Sequence, residues 1–564
     1  MERVISIGKQ DFASLRENGY FYIDKTNFIS EWWESGDDVT LITRPRRFGK
    51  TLNVSMLNCF FSTDYAGRAD LFRGLSIWDC EKYRNIQGTY PTITLSFAGV
   101  KADNIDSAKT EIKTQIARLY RSREFLTDSG VLSRAEAEEY GQITKNMSDA
   151  DCAVSINILC EYLYRFYGRK VIVLLDEYDT PMQEAYIGGY WAEFTSFMRS
   201  LFNSTFKTNQ YLERALMTGI TRVSRESIFS DLNNLRVITT SSEKYADFFG
   251  FTQTEVFEAL DEYGISGQRD IVKKWYDGFN FGSKKGIYNP WSIINFLKEK
   301  QIQAYWAATS SNSLINTLIQ GSSAEIKSEM EILLEGKAIT VHFDEQIVFN
   351  QLSRDENALW SLLVAGGYLR IDSIEYRGEL REIWYTLSIT NLETRSMFAS
   401  MFKGWFGTAF SSYNGFVRSL LSGNIKDMNA YMNDVALSTF SSFDTGTHPS
   451  DRSQPERFFH GFVLGLLVEL RDIYEVKSNR ESGYGRYDVM LIPKNNDDRY
   501  NAIVMEFKVL DLREEGTLEN TARSALRQIE DKNYDAELIA RGIERARIRH
   551  YGFAFEGKNV LIAE

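Results

Sequence analysis

The stretch LITRPRRFGKTLNVSML, residues 41–57, decides the fold. An apolar strand runs into a basic turn, and the turn ends in Gly49-Lys50-Thr51 at the opening of a helix. That order builds a phosphate cradle, because backbone N–H groups and the positive end of the following helix face the β- and γ-phosphates. In such a loop Lys50 supplies a point charge and the Thr51 hydroxyl reaches Mg²⁺. The front of the loop departs from the usual G-x-x-x-x-G-K-[ST], since Arg44 stands where glycine is expected. Arg44, Arg46 and Arg47 then bring anion-pairing guanidinium groups. The alternative for this segment alone is an ordinary basic turn before a helix.

RKVIVLLDEYDTP, residues 169–181, supplies the complement. Five apolar residues, 171–175, end in Asp176-Glu177, as a central parallel strand does when it delivers carboxylates to its C-terminal edge. Asp176 is placed to hold Mg²⁺ through water, and Glu177 to orient or deprotonate the attacking water. Two acids after a buried strand are common in isolation. Paired with Gly49-Lys50-Thr51 they specify an ATP site. In ERALMTGITRVSRESIFSD, residues 213–231, a further strand over 216–220 contains Thr218 and precedes Arg222 and Arg225. Polar groups there sense the γ-phosphate and one arginine pairs with it, or both arginines are plain surface residues.

These motifs occur together with YFYIDKT (20–26), TGITRVSRESIFSDLNNL (218–235), WYDGFNFG (275–282), YNPWSIINFL (288–297) and YWAATSSNSLI (305–315). The set resembles the bacterial AAA-ATPase-like family, whose members carry a C-terminal PD-(D/E)XK nuclease-superfamily domain. The resemblance covers nearly the whole chain. It implies a mixed α/β protein: an AAA-like P-loop NTPase domain over 1–240, a mostly helical or winged-helix-like middle over 241–440, and a restriction-endonuclease-like α/β domain over 441–564. It also implies that the arginine-rich loop is the family's own form of the phosphate loop. Architecture transfers with such a resemblance more securely than biological role.

At 564 residues the chain exceeds what one hydrophobic core organises, so two or three domains are expected. No apolar run approaches membrane-spanning length, and the start MERVISIGKQDF lacks a signal-peptide core, which points to the cytoplasm. Cys59, Cys80, Cys152 and Cys160 show no C-x-x-C spacing and read as reduced packing residues. A net charge of −12 disfavours non-specific coating of nucleic acid, which rests on phosphate neutralisation by Lys and Arg. It favours binding confined to one site or helped by homo-oligomerisation.

Residues 92–97 read as a strand. From Asn104 onward, Ile105, Ala108, Ile112, Ile116 and Leu119 recur at helical spacing. Beyond residue 240 strand signals thin, and helices are expected over 254–263, 293–300 and 324–334. WYDGFNFG and YNPWS read there as aromatic packing turns. SSFDTGTHPSDRSQPE, residues 441–456, is small, polar and turn-rich, as a linker is.

The C-terminal part holds a second constellation. PERFFHGFVLGLLVEL (455–470) reads as a helix, and YEVKSNRESGYGRYDVMLIP (474–493) as a hairpin leading to Asp488. In NAIVMEFKVL (501–510), the period-two rule puts Ile503, Met505 and Phe507 on one strand face, and Val504, Glu506 and Lys508 on the other. Asp488, Glu506 and Lys508 are the set a PD-(D/E)XK nuclease needs. Two carboxylates and a carbonyl bind one or two Mg²⁺, or Mn²⁺ in its place, while the lysine assists the nucleophile or stabilises charge. Glu456, Glu481, Arg486 and Gln528 resemble positions typical of this domain in the family. Glu456, beside Pro455, is a further metal ligand or a helix cap. Gln528 lies on a helix with Ala525 and Lys532 and contacts a DNA backbone near the metal, or caps the strand edge.

Together these features predict a cytoplasmic bacterial ATPase fused to a metal-dependent nuclease, with DNA preferred over RNA as substrate and a setting in defence, mobile elements or DNA processing. The rival from another class is a nucleotide-dependent switch or scaffold whose C-terminal domain binds nucleic acid or a partner without cutting. A transposition-associated protein is a third reading.

Overall fold

The computed structural model describes residues 2–221, 228–229, 232–307, 313–345, 357–405, 410–439, 463, 467, 470, 473–482, 485–496, 499–511, 515–557 and 559–564. They divide into two compact units: residues 1–318 with 338–395, and residues 319–337 with 396–564.

The first unit is organised around five parallel strands: β1 (Val39–Thr43), β2 (Thr92–Ser96), β3 (Val171–Asp176), β4 (Leu212–Gly219) and β5 (Leu235–Ile238), in the order β2-β3-β4-β1-β5. Every residue of β1 and β3 is buried, as the apolar run of β3 requires of a strand covered on both faces, and β1 buries Thr40 and Thr43 beside its apolar residues. Helix α1 (Lys50–Phe61) follows β1, and α2 (Ile105–Ser122) follows β2. Asn104 caps α2, its side chain accepting the Ser107 N–H at 2.9 Å. The expected face of α2 is buried at Ala108, Ile112 and Ile116, but Ala117 and Tyr120 complete it where Leu119 was expected. The crossover places β4 between β1 and β3, with Met217 level with both Leu41 and Leu175. Thr218 therefore comes to lie between the loop after β1 and the acidic end of β3.

Beyond residue 240 the expected helices are present as Gln253–Glu262, α3 (Pro290–Glu299) and Ala324–Leu334. The same region carries more sheet than its sequence suggested. β6 (Phe251–Thr252), β7 (Phe279–Phe281) and β8 (Lys284–Tyr288) form one antiparallel sheet. β9 (Ile339–His342), β10 (Leu369–Arg377) and β11 (Glu382–Ile389) form another. Strands of two or three residues are too short to show a period of two, which is why β6 and β7 escape detection. The β10–β11 hairpin follows the helix Asn357–Ala365. The linker expected at 441–456 and most of the helix expected at 455–470 lie outside the described residues.

In the second unit, β12 (Tyr474–Ser482), β13 (Gly485–Pro493), β14 (Ala502–Val509), β15 (Ile548–Glu556) and β16 (Asn559–Ala563) form a sheet in sequence order. Only the β14–β15 pair is parallel, and helix α4 (Leu518–Asp531) lies in the connection between them. Gly552 lets α4 approach, because a Cβ there would come within 2.5 Å of the Ala522 carbonyl. Val489, Leu491, Ile503, Met505 and Phe507 pack on one sheet face, and Met490, Val504, Ile529 and Tyr534 on the other. The predicted alternation of β14 is thus present. All four cysteines are free thiols, buried except for Cys80, which is exposed. Among the described residues no helix is long and apolar enough to cross a membrane.

Candidate functional site

Arg47 (φ 64°) and Gly49 (φ 79°) adopt left-handed conformations on either side of Phe48 and ahead of α1, the kind of alternation from which anion-binding backbone nests are built. Lys50 is buried, and its ammonium donates to the loop's own carbonyls, Arg44 O at 2.8 Å and Pro45 O at 2.7 Å. Burial lowers its pKa, and the fields of Glu177, Asp179 and Asp176 oppose that shift. The Thr51 hydroxyl donates to one oxygen of Asp176 at 2.7 Å, and the Thr218 hydroxyl to the other. The loop, β3 and β4 therefore converge on one carboxylate. Thr51 and Asp176 form the hard oxygen pair that suits Mg²⁺, and they would hold it there.

Glu177, at φ 51°, is a non-glycine residue in the left-handed region, a strain on the order of 1–3 kcal/mol that clusters at functional sites. Its carboxylate accepts from Thr180 Oγ1 at 3.0 Å. Asp179, completely buried, takes the Ile220 N–H (3.0 Å), the Thr221 N–H (2.8 Å) and the Thr221 hydroxyl (2.7 Å) on one oxygen. The Tyr178 hydroxyl donates to the Thr221 carbonyl at 2.9 Å. The last two residues of DEYD thus clamp the turn after β4. That role was missed in the sequence, although both residues stand inside a quoted motif. Arg222, the next residue, lies outside the described residues.

The three loop arginines divide. Arg44, expected to pair with an anion, instead turns inward: it is fully buried, donates to the carbonyls of Thr43 (2.9 Å) and Thr239 (2.6 Å), and lies 4.6 Å from the Phe281 ring centroid. Desolvation pulls its pKa down to about 9. Arg47 stacks on Trp291 at 3.7 Å. Arg46 borders a pocket with Gln183, Thr221 and Tyr368. Tyr22, Ile23, Lys25, Phe48, Gly49 and Asn53 are among the residues that line a second pocket beside the loop, to which YFYIDKT contributes four residues. Lys25 is paired there with Glu255 at 2.6 Å.

At the second site, β13 and β14 are antiparallel with Val489 opposite Met505. Asp488 accepts the Phe507 N–H at 2.8 Å, so its side chain continues the ladder where the backbone pairing ends. Glu506 is buried, and Lys508, two residues on, shares its strand face and is half-buried. The Gln528 amide on α4 donates both to Glu506 and to the Tyr534 hydroxyl, the latter at 3.2 Å. Gln528, expected to contact a DNA backbone near the metal or to cap the strand edge, here turns its amide onto the Glu506 carboxylate and orients it. Tyr534, a member the sequence did not single out, has its pKa raised by burial, with Glu506 and Asp488 adding to the rise. The oxygen donors of Asp488 and Glu506 fit a hard divalent ion. Among the described residues no group of three His, Cys, Asp or Glu side chains forms a metal-ligating cluster. Glu456 lies outside the described residues, as do the side chains of Glu481 and Arg486.

Residues 6–229 match the family model for a predicted AAA-ATPase, and residues 454–564 that for the PD-(D/E)XK nuclease superfamily. A relative described as an uncharacterized protein in the vnfD 5' region of Azotobacter chroococcum mcd 1 is 25% identical over 560 residues, covering 95% of this chain and 94% of its own. Among solved structures, a signal transduction ATPase with numerous domains and a tetratricopeptide repeat sensor, from Pyrococcus horikoshii, is 12% identical with a TM-score of 0.24. That match covers 79% of this chain and 54% of the other, so this chain spans about half the length of that protein. The chain thus carries an N-terminal segment that matches the predicted AAA-ATPase family model and a C-terminal segment that matches the PD-(D/E)XK nuclease superfamily model.

Proposed function

We propose that this chain is an ATP-dependent, metal-dependent nuclease acting in the cytoplasm, with an ATPase domain ending near residue 240, a middle region to about 440 and a nuclease domain beyond it. The observation that carries the nucleotide half is the Thr51–Asp176 hydrogen bond, which joins the lysine loop to the acid-ended strand across 125 residues. ATP would place its phosphates on the loop N–H groups and on Lys50, whose ammonium must exchange the Arg44 and Pro45 carbonyls for phosphate oxygens. The pocket lined by Tyr22, Lys25, Gly49 and Asn53, beside the loop, would take the base. Glu177 would accept a proton from, or orient, the attacking water, and Arg222 would face the γ-phosphate.

In the nuclease domain Asp488 and Glu506 would hold Mg²⁺ or Mn²⁺, with Glu456 as an added ligand. The bound ion supplies a Lewis acid and an activated water. Gln528 orients Glu506, and Lys508 supports the nucleophile or the developing charge. DNA is the proposed substrate ahead of RNA, in a defence, mobile-element or DNA-processing role.

The test is an assay of purified protein with Mg²⁺ or Mn²⁺ on linear, circular and single-stranded DNA, with and without ATP. Metal-dependent cleavage that changes with ATP supports the proposal. Full-length, folded protein that cleaves no DNA or RNA under any condition returns the function to a nucleotide-dependent switch.

A further inference from the structure

A phosphate loop normally keeps its shape through its own glycines, which tolerate the required backbone angles. This loop, RPRRFGK, has a single glycine, so its shape must be held from outside. The supports are visible. The Arg46 carbonyl accepts two side-chain N–H bonds, from Trp306 Nε1 at 3.1 Å and from Asn289 Nδ2 at 3.3 Å. Pro45 packs so close to Gly367 that a Cβ there would come within 2.7 Å of the proline ring. Phe48 sits edge-on to Phe279, with ring centroids 4.7 Å apart, and Phe279 in turn meets Trp306 at 5.6 Å.

One buried group fixes this scaffold. Glu393, in the first turn of the helix Leu392–Trp405, is fully buried and accepts the Trp306 backbone N–H at 2.6 Å and the Ser292 hydroxyl of α3 at 2.8 Å. The amides of Tyr305 and Ala307 also donate to it. A carboxylate with four donors and no cation among its described partners is costly to bury unless it holds something in place. What it holds is the segment 305–307, whose indole ends on the Arg46 carbonyl.

We infer that Glu393 and Trp306 are positioning residues for the phosphate loop: Glu393 sets Trp306, and Trp306 sets the Arg46 peptide. The AAA-ATPase match ends at residue 229, so the nucleotide site is completed by side chains outside the matched segment. This inference rests on the proposal that the loop takes a nucleoside triphosphate, but its own test does not require nucleotide.

Hydrogen exchange of the full-length protein reads the hydrogen-bonded amides at the two ends of the loop, Arg44 on the Gly219 carbonyl and Asn53 on the Gly49 carbonyl, against those of residues 171–176 in β3. Trp306→Phe deletes only the indole donor, and Glu393→Met deletes the acceptor. Glu393→Gln keeps an acceptor for the amides of 305–307, with its own N–H₂ turned to Ser292. Loop exchange should rise roughly 5- to 10-fold in the first two variants, the weight of one hydrogen bond, and return toward wild type in the third. The β3 amides should stay unchanged. Trp384→Phe, on the exposed hairpin, should change neither. Calorimetry with ATP and Mg²⁺ is run on the same proteins, and affinity should fall by a similar factor. Wild-type protein that binds no ATP, yet shows the loop-specific exchange pattern, keeps this inference and removes the nucleotide proposal. Unchanged loop exchange in both Trp306→Phe and Glu393→Met overturns it. An equal rise at β3 also overturns it, since Glu393 would then serve folding alone.

Discussion

Glu393 makes the stability of this protein depend on pH in a direction opposite to that of most carboxylates. Burial pushes its pKa from 4.5 up to about 7, against the donors from Ser292 and the amides of 305–307. Tyr276 and Tyr305, which feel its charge, are themselves pushed upward and stay neutral throughout the range concerned. The folded state therefore binds the Glu393 proton more tightly than the unfolded chain does. Stability from this group is fully present below pH 4.5 and is lost as pH rises through about 7. The span from 4.5 to 7 is 2.5 units. At about 1.4 kcal/mol per unit this amounts to about 3.5 kcal/mol, of which about 3 kcal/mol falls between pH 4.5 and 8. Glu393→Gln keeps the shape but does not titrate. Urea unfolding of both proteins, followed by tryptophan fluorescence between pH 4.5 and 8, isolates the term, because every other titrating group cancels in the difference. The variant should gain about 3 kcal/mol on the wild type across that interval. A difference that stays flat with pH would refute the reasoning, and one of opposite slope would mean that the donors outweigh burial.

Three further outcomes are expected. Lys50→Ala should weaken ATP binding by calorimetry, whereas Glu177→Gln should bind ATP and fail to turn it over; equal affinity in wild type and Lys50→Ala would show that the loop takes no triphosphate. Asp488→Ala, Glu506→Ala and Lys508→Ala should each cut cleavage by orders of magnitude while leaving ATP hydrolysis intact, with Lys508→Ala alone sparing metal binding; gel assays on Mg²⁺-supplied DNA decide. In Gly219→Ala the new Cβ would lie 2.7 Å from both Asp179 Oδ1 and the Tyr178 ring, so thermal unfolding should show a loss of about 1–3 kcal/mol, and an unshifted melting temperature would mean the DEYD clamp yields freely.

The features legible in the sequence are local and periodic. The strand–loop–helix order of residues 41–57 announces a phosphate loop, and the unbroken apolar run at 171–175 marks a doubly covered strand ending in acids. A period of two put Glu506 and Lys508 on the face opposite Met505 and Phe507, where the structure has them. Such patterns are legible because each residue's environment follows from its near neighbours along the chain. The tertiary structure alone decided the rest. Arg44 looked outward on paper because arginine is costly to bury, but a carbonyl 195 residues away and the Phe281 ring give it an interior place. YNPWS looked like packing, yet Asn289 and Trp291 touch the loop, and the Trp306 indole reaches it from 260 residues away. Gln528 acquires its role only when α4 crosses back over β14 to bring its amide onto Glu506. Hydrogen bonds and desolvation depend on which groups meet in space, and no window of sequence contains both partners when the fold brings them together from opposite ends of a sheet.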